Sequence, residues 1–97
     1  MAVQAREATD RSLEASFQVS RSPVRARGGM VAAAHPLAVA AGVDALRKGG
    51  NAMDAAIAAA LTTGVVLPAM SGLGGDAFFI HFDGKTKRVT AVNGSGI

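Results

Sequence analysis

The sequence predicts a mixed α/β fold in which two helices precede a β-hairpin, because the spacing of its apolar residues changes along the chain. Between residues 36 and 66 apolar side chains recur at mostly helical spacing, whereas from residue 77 they alternate. Glycines at 49–50 separate the two helical stretches, and the glycine-rich segment 71–76 separates the helices from the alternating residues. The predicted fold class is therefore α/β, with helices and strands in separate layers (α+β layered).

The length and composition allow one small domain with a modest core. The chain has 97 residues, 49% of them hydrophobic, but its aromatic residues are four phenylalanines and much of the apolar content is alanine. It contains no cysteine, which excludes disulfides, thiolate metal sites and a cysteine nucleophile. The histidines, His35 and His81, lack the paired spacing of a metal site and are interpreted as structural. No metal and no cofactor are predicted.

Residues 1–28 are predicted to form a disordered or loosely ordered basic tail. They contain most of the excess positive charge of a chain whose net charge is +3. The tail lacks the apolar run of a secretory signal, so a cytoplasmic location is expected. Basic tails can contact nucleic acid, but this one lacks the interleaved aromatic residues of such a site, and a solvated leader is the favoured interpretation.

The first regular elements are predicted on either side of Pro36. Residues 28–35, GGMVAAAH, are predicted to form a short buried strand opened by glycines. Pro36 suits the start of a helix that runs to about Lys48, and Gly49-Gly50 supplies a left-handed stop.

The second helix is predicted to begin after Asn51, which can cap it, and to end near Val66. Asp54 falls in its first turn, where the helix dipole favours an anion and where this structural role suffices. No charged residue occurs between Asp54 and Asp76. Glycines and a proline interrupt that stretch, so no membrane span is predicted, and a helix covered on most sides is expected instead.

The alternating segment is predicted to form a hairpin. A strand begins at about Ala77, with Phe78, Ile80 and Phe82 on one face. Residues 83–86 mark a tight turn, and residues 87–92 supply the returning strand.

The glycine-rich segment also suggests a nucleotide-binding site, because GLGGDA at 72–77 satisfies the G-x-G-x-x-G/A pattern. A dinucleotide turn needs a strand before the glycines and a helix after them, so that phosphate rests on the helix N-terminus. Here a helix precedes the glycines and a strand follows them. The pattern is therefore interpreted as a structural connector.

Three stretches together carry a resemblance to a known family. GMVAAAHPLAVAAGVDALRKGGNAMDAAIAAAL followed by SGLGGDAFFIHFD is similar, in order and spacing, to the N-terminal part of the gamma-glutamyltransferase (gamma-glutamyltranspeptidase, glutathione hydrolase) family. That family's hallmark stretches read approximately GMVA, GGNAxDAAxA and SGxGGGxF. The resemblance covers residues 29–94, and three motifs in one order are more specific than any one alone.

The resemblance implies an N-terminal-nucleophile hydrolase, with residues 29–97 forming the first part of an αββα sandwich. In such enzymes a precursor cleaves itself, and the new N-terminal threonine attacks gamma-glutamyl amides such as glutathione, transferring the acyl group to water or to an amine. The nucleophile is expected beyond residue 97. The chain is thus expected to be an incomplete large-subunit fragment, inactive and marginally stable alone, with the remainder of the large subunit and the small subunit as partners.

The resemblance places a substrate-binding position at Ser95. There the family has an arginine that pairs with the substrate α-carboxylate, a task suited to a bidentate donor. Ser95 cannot supply that charge, and the sequence here is similar to a branch of the family that reads Asn-Gly-Ser-Gly. Asp76, where the family often has glycine, is predicted to cap its own turn. Thr62 and Thr63 lie in the second helix and are interpreted as packing residues.

No catalytic residue is assigned within the chain, and two functions are weighed. The leading hypothesis is a gamma-glutamyltransferase-like hydrolase or acyltransferase for small-molecule gamma-glutamyl or related acyl amides. The alternative is a small non-catalytic binding or interaction domain that retains only the scaffold. A reading frame that continues to a threonine self-cleavage site would favour the enzyme.

Overall fold

The computed structural model describes residues 21–97, which form two helices followed by an antiparallel hairpin. Helix α1 spans Pro36–Arg47 and helix α2 spans Ala52–Val66, while strands β1 and β2 span Ala77–Asp83 and Arg88–Gly94. The predicted α/β class and the order of two helices followed by a hairpin are confirmed. Most of the predicted tail lies outside the described residues, and residues 21–28 are exposed without regular secondary structure.

The predicted strand at residues 28–35 is wrong. The segment has no helix or strand, and it is exposed apart from the half-buried Val31 and His35. A strand needs a neighbouring backbone with which to exchange hydrogen bonds, and the two-stranded sheet of the described residues contains only β1 and β2. The glycines and Val31 instead bring this segment close to α1, where a Cβ on Gly29 would lie 3.2 Å from a methyl carbon of Leu46.

Helix α1 is defined at both ends by local signals. His35 is its N-cap, with Nδ1 accepting a hydrogen bond from the Leu37 N–H at 3.1 Å, and Pro36 occupies the first helical position. At the other end Gly49 has a φ of +90°. The Gly49 N–H donates to the Leu46 carbonyl at 3.1 Å and the Gly50 N–H to the Ala45 carbonyl at 2.9 Å. This is a Schellman motif, and the predicted glycine stop is confirmed.

Helix α2 begins with a capping box. The Asn51 side chain accepts from the Asp54 N–H, and the Asp54 carboxylate accepts from the Asn51 N–H, both at 2.9 Å. Each side chain therefore satisfies one backbone donor that the helix leaves unpaired. The predicted cap and first-turn acid are confirmed.

The small core lies where the two helices cross. Its buried residues are all small: Ala38, Gly42, Ala55 and Ala59. A Cβ on Gly42 would stand 2.8 Å from a methyl carbon of Val31 and 3.1 Å from the backbone oxygen of Ala55. Because these side chains are small, the helices approach each other closely. For the same reason the core buries little apolar area.

The hairpin pairs residue for residue from Ala77 with Gly94 to Asp83 with Arg88. Lys87 lies in the turn with a φ of +58°, and its N–H donates to the Asp83 carbonyl at 2.8 Å. The second strand therefore begins one residue later than predicted, at Arg88, and continues beyond the predicted end at Val92 to Gly94. The left-handed backbone of Lys87 is incompatible with a strand, which explains the late start.

Many apolar side chains of these elements face solvent. On α2, Ile57 and Leu61 are each 51% exposed, and on β1, Phe78 and Ile80 are 65% and 80% exposed. The predicted cover of α2 on most sides is thus not provided by residues 21–97. Within those residues neither helix combines the length and the hydrophobicity that crossing a bilayer requires.

Candidate functional site

The glycine loop, residues 71–76, connects α2 to β1 and forms one wall of a groove. The Gly75 N–H donates to the Gly72 carbonyl at 3.1 Å, which closes a turn within the loop. The loop approaches α2 at Gly64, where a Cβ would lie 3.6 Å from the Gly72 Cα. Between them lies a groove of about 260 Å³. The predicted close packing holds at Gly75, where a Cβ would lie 3.3 Å from the Gly72 oxygen, but a Cβ on Gly72 or Gly74 would meet nothing within 4 Å.

Asp76 ends the loop and reaches the far end of the hairpin. Its Oδ1 accepts a hydrogen bond from the Gly96 N–H at 2.9 Å, across 20 positions of sequence. The prediction that Asp76 caps its own turn is therefore wrong. Antiparallel pairing of Ala77 with Gly94 brings the residues after β2 beside the residue before β1, and the carboxylate spans that junction.

Ser95 lies between two side-chain contacts to the backbone. The Asn93 Oδ1 accepts from the Ser95 N–H at 3.1 Å, and the following amide, that of Gly96, donates to Asp76. A Cβ on Gly94 would lie 2.6 Å from the Ala77 oxygen, and one on Gly96 would lie 2.8 Å from the Asp76 Oδ1. Ser95 is exposed, and it lies between two glycines whose backbones are close to Ala77 and Asp76.

The corner that Asp76, Asn93, Ser95 and Gly96 form, here called the Asp76 corner, contains one carboxylate. Asp76 is the one charged side chain among the nine residues that line the groove: Ala60, Leu61, Gly64, Ser71, Gly72, Leu73, Gly75, Asp76 and Ala77. Ser95 adds a neutral hydroxyl. The corner thus offers a carboxylate and a hydroxyl.

The other singled-out residues have local partners. The Thr62 and Thr63 hydroxyls donate to the Ala58 and Ala59 carbonyls, each at 2.8 Å. Both hydroxyls are thus hydrogen-bonded to the backbone of their own helix. His81 is half-buried and pairs with Thr90 across the hairpin. Among residues 21–97 no three His, Asp or Glu side chains lie close enough to share a metal ion.

Asp83, at the opposite end of β1, is held by the hairpin turn. Its pKa is lowered because the Lys85 N–H donates to Oδ1 at 2.9 Å and the Thr86 hydroxyl donates to Oδ2 at 2.8 Å. Both bonds favour the ionised form. These contacts define a turn rather than a ligand site.

Sequence reasoning missed Asn93 and the link between Asp76 and Gly96. Asn93 carries a usable local signal, since an asparagine two residues before a backbone N–H commonly accepts from it. The Asp76 contact has no local signal, because its partner is set by the hairpin register.

Comparison with solved structures defines the class of protein. The chain is similar to the crystal structure of Helicobacter pylori gamma-glutamyltranspeptidase, with a TM-score of 0.65 and 33% identity over 72% of this chain and 20% of that chain. The shared arrangement identifies the fold as part of an N-terminal-nucleophile hydrolase. Residues 38–97 match the family described as Gamma-glutamyltranspeptidase. The chain belongs to this gamma-glutamyltranspeptidase family.

Curated relatives agree with this assignment. The chain is 52% identical over 67 residues to the glutathione hydrolase proenzyme of Bacillus subtilis strain 168, a match that covers 69% of this chain and 11% of the relative. It is 48% identical over 52 residues to the oxamate amidohydrolase proenzyme of Klebsiella pneumoniae, covering 54% of this chain and 10% of the relative. The chain therefore spans about a tenth of the length of these relatives.

Proposed function

We propose that this chain is the N-terminal part of the large subunit of an enzyme that hydrolyses or transfers gamma-glutamyl or related acyl amides. The observation that carries the proposal is the 52% identity over 67 residues to a glutathione hydrolase proenzyme. The likeness to a gamma-glutamyltranspeptidase crystal structure, at a TM-score of 0.65, supports it independently.

In the proposed mechanism a threonine from the chain beyond residue 97 becomes N-terminal when the precursor cleaves itself. Its hydroxyl attacks the amide carbonyl and its own amine accepts the proton, which passes to the departing amine as the C–N bond breaks, so that the acyl group remains as an ester on the threonine and neither a histidine nor a metal is needed. Water or an acceptor amine then takes the acyl group. Residues 29–97 contribute scaffold and one end of the substrate site, and the chain alone is inactive.

We further propose that Ser95 lies at the acyl-binding end of the site. Two observations support this: its backbone is fixed at the mouth of the hairpin by Asn93, and the resemblance aligns it with a residue that pairs with the substrate carboxylate. Since serine provides one neutral hydroxyl, binding of an α-carboxylate would be weak. One of the similar proteins is named as an oxamate amidohydrolase and not as a gamma-glutamyl enzyme, which supports including other acyl amides in the proposal.

A chimera tests the proposal. Residues 29–97 replace the matching segment of the Bacillus subtilis glutathione hydrolase proenzyme, and two readouts follow: self-cleavage into subunits on a gel, and release of p-nitroaniline from gamma-glutamyl-p-nitroanilide. We expect self-cleavage with reduced anilide hydrolysis. Ser95→Arg should raise that hydrolysis, mainly through a lower KM, because a guanidinium restores carboxylate pairing.

The parental proenzyme and the unmodified chimera are the controls. Failure of the chimera to cleave itself, while the parental protein does, would favour the non-catalytic scaffold. Self-cleavage with no effect of Ser95→Arg on KM would remove Ser95 from the substrate site and leave the enzyme assignment in place.

A further inference from the structure

The carboxylate of Asp76 lies beside Ser95, although the glycine loop and the end of β2 are far apart in sequence. We propose that Asp76 sets the charge preference of the acyl-binding end, so that acyl groups carrying an ammonium and lacking a carboxylate are favoured. This inference rests on the proposed function, because it needs Ser95 at that end of the site.

The first step is position. The Asp76 Oδ1 is 2.9 Å from the Gly96 nitrogen, and the Cα atoms of adjacent residues are about 3.8 Å apart. The Ser95 backbone therefore lies no more than about 6 Å from a negative charge. At such distances the interaction between charges is appreciable even in a partly hydrated site.

The second step is the balance of charge. A substrate carboxylate at Ser95 would face the like charge of Asp76, and the serine hydroxyl could offset it with a single neutral hydrogen bond. An ammonium would instead be attracted to Asp76 and could donate to its free lone pairs. Among the described residues that line the adjoining groove, Asp76 is the one with a charged side chain, so it supplies the negative charge that residues 21–97 place next to Ser95.

The third step is rigidity. Asn93 holds the Ser95 amide at 3.1 Å, and Asp76 holds the next amide. A Cβ on Gly96 would lie 2.8 Å from the Asp76 Oδ1, so glycine lets the carboxylate approach the backbone closely. The two hydrogen-bonded amides hold the Ser95 backbone and the Asp76 carboxylate in one arrangement, and such positioning is what selection between substrates requires.

The experiment measures a preference ratio in the chimera. Three p-nitroanilides of equal acyl length are compared: gamma-glutamyl, with both charged groups; 4-aminobutyryl, without the carboxylate; and glutaryl, without the ammonium. We expect the kcat/KM ratio of 4-aminobutyryl to glutaryl to fall about two- to fivefold in Asp76→Asn, as for the loss of one exposed ion pair. Asparagine retains an acceptor for the Gly96 N–H.

Asp44→Asn, which removes an equal charge from the surface of α1, is the matched control and should leave the ratio unchanged. If self-cleavage is intact and the ratio is equal in Asp76→Asn and the unmodified chimera, the role of Asp76 is overturned and the proposed function stands. Self-cleavage without product from any of the three anilides overturns the proposed substrate class and this inference with it. The two chimeras share every residue that comes from the parental protein, so the effect of those residues on the ratio is the same in both.

Discussion

Gly42 of α1 lies against the backbone of Ala55 in α2 so closely that a Cβ would stand 3.1 Å from the Ala55 oxygen and 2.8 Å from a methyl carbon of Val31. The residue is buried at the helix crossing. A glycine inside a helix is ordinarily unfavourable, so its presence here reflects the need for close approach.

Gly42→Ala should therefore destabilise the chain by about 1–3 kcal/mol, because the overpacked methyl outweighs the better helix propensity. Gly64→Ala is the matched control. Its Cβ would meet nothing closer than 3.6 Å, and it should stabilise the chain by about 0.5–1 kcal/mol. Urea unfolding of the 97-residue chain, followed by helical circular dichroism, measures both; changes of the same sign would refute the proposed crossing.

Gly49→Ala should destabilise the chain by about 1 kcal/mol, because the φ of +90° places an L side chain in a disfavoured region. Gly28→Ala provides the comparison, since a Cβ there meets nothing within 4 Å and its φ is not positive. Thermal unfolding of the two variants should separate them, and equal midpoints would contradict the Schellman motif.

The capping box of α2 predicts that Asn51 and Asp54 each stabilise the helix through a separate backbone N–H. Each single alanine variant should cost about 1 kcal/mol, since each removes the partner of one orphaned backbone N–H. The side chains bond to backbone rather than to each other, so a double-mutant cycle should show only weak coupling. A cost below about 0.3 kcal/mol for both variants would be inconsistent with the cap.

The hairpin turn should respond to acid. Because the folded pKa of Asp83 is lowered, its contribution is present above the unfolded value of about 4 and is lost as pH falls through the folded pKa. The Lys85 amide resonance should therefore shift below about pH 4 in NMR titrations, and the shift should be absent in Asp83→Asn. A Lys85 shift centred above pH 5 would point to another group.

The exposed hairpin face predicts different effects in the chain and in the chimera. Ile80 is 80% exposed in the described residues, so Ile80→Ser should change the stability of the 97-residue chain by less than about 0.5 kcal/mol. If the rest of the precursor covers this face, the same change should destabilise the chimera by about 2 kcal/mol or more. Equal, small effects in both would argue against that cover.

The ends of the helices were predictable from sequence because the interactions that fix them span only a few residues. The Gly49-Gly50 stop and the Asn51 cap bond to atoms within five positions. The hairpin was predictable for a similar reason, since alternation and a polar turn are local. The exact start of β2 was not predictable, because lysine is not a residue type that indicates the left-handed backbone seen at Lys87.

The strand expected at residues 28–35 failed because a strand is defined by its neighbour, and composition cannot say whether that neighbour is present. The candidate site was predictable only in part. Ser95 could be named from the resemblance, but its relation to Asp76 depends on the register that pairs Ala77 with Gly94.

By itself, the sequence determined the two helices, the glycine stop of α1, the Asn51 cap of α2, the hairpin and the family, since all of these depend on short-range chemistry or on motifs in order. Tertiary structure alone decided that Gly42 is a contact point between helices and that Asp76 binds the amide of Gly96. The physical reason is that both contacts join residues brought together by packing and strand pairing, and no local preference encodes the partner.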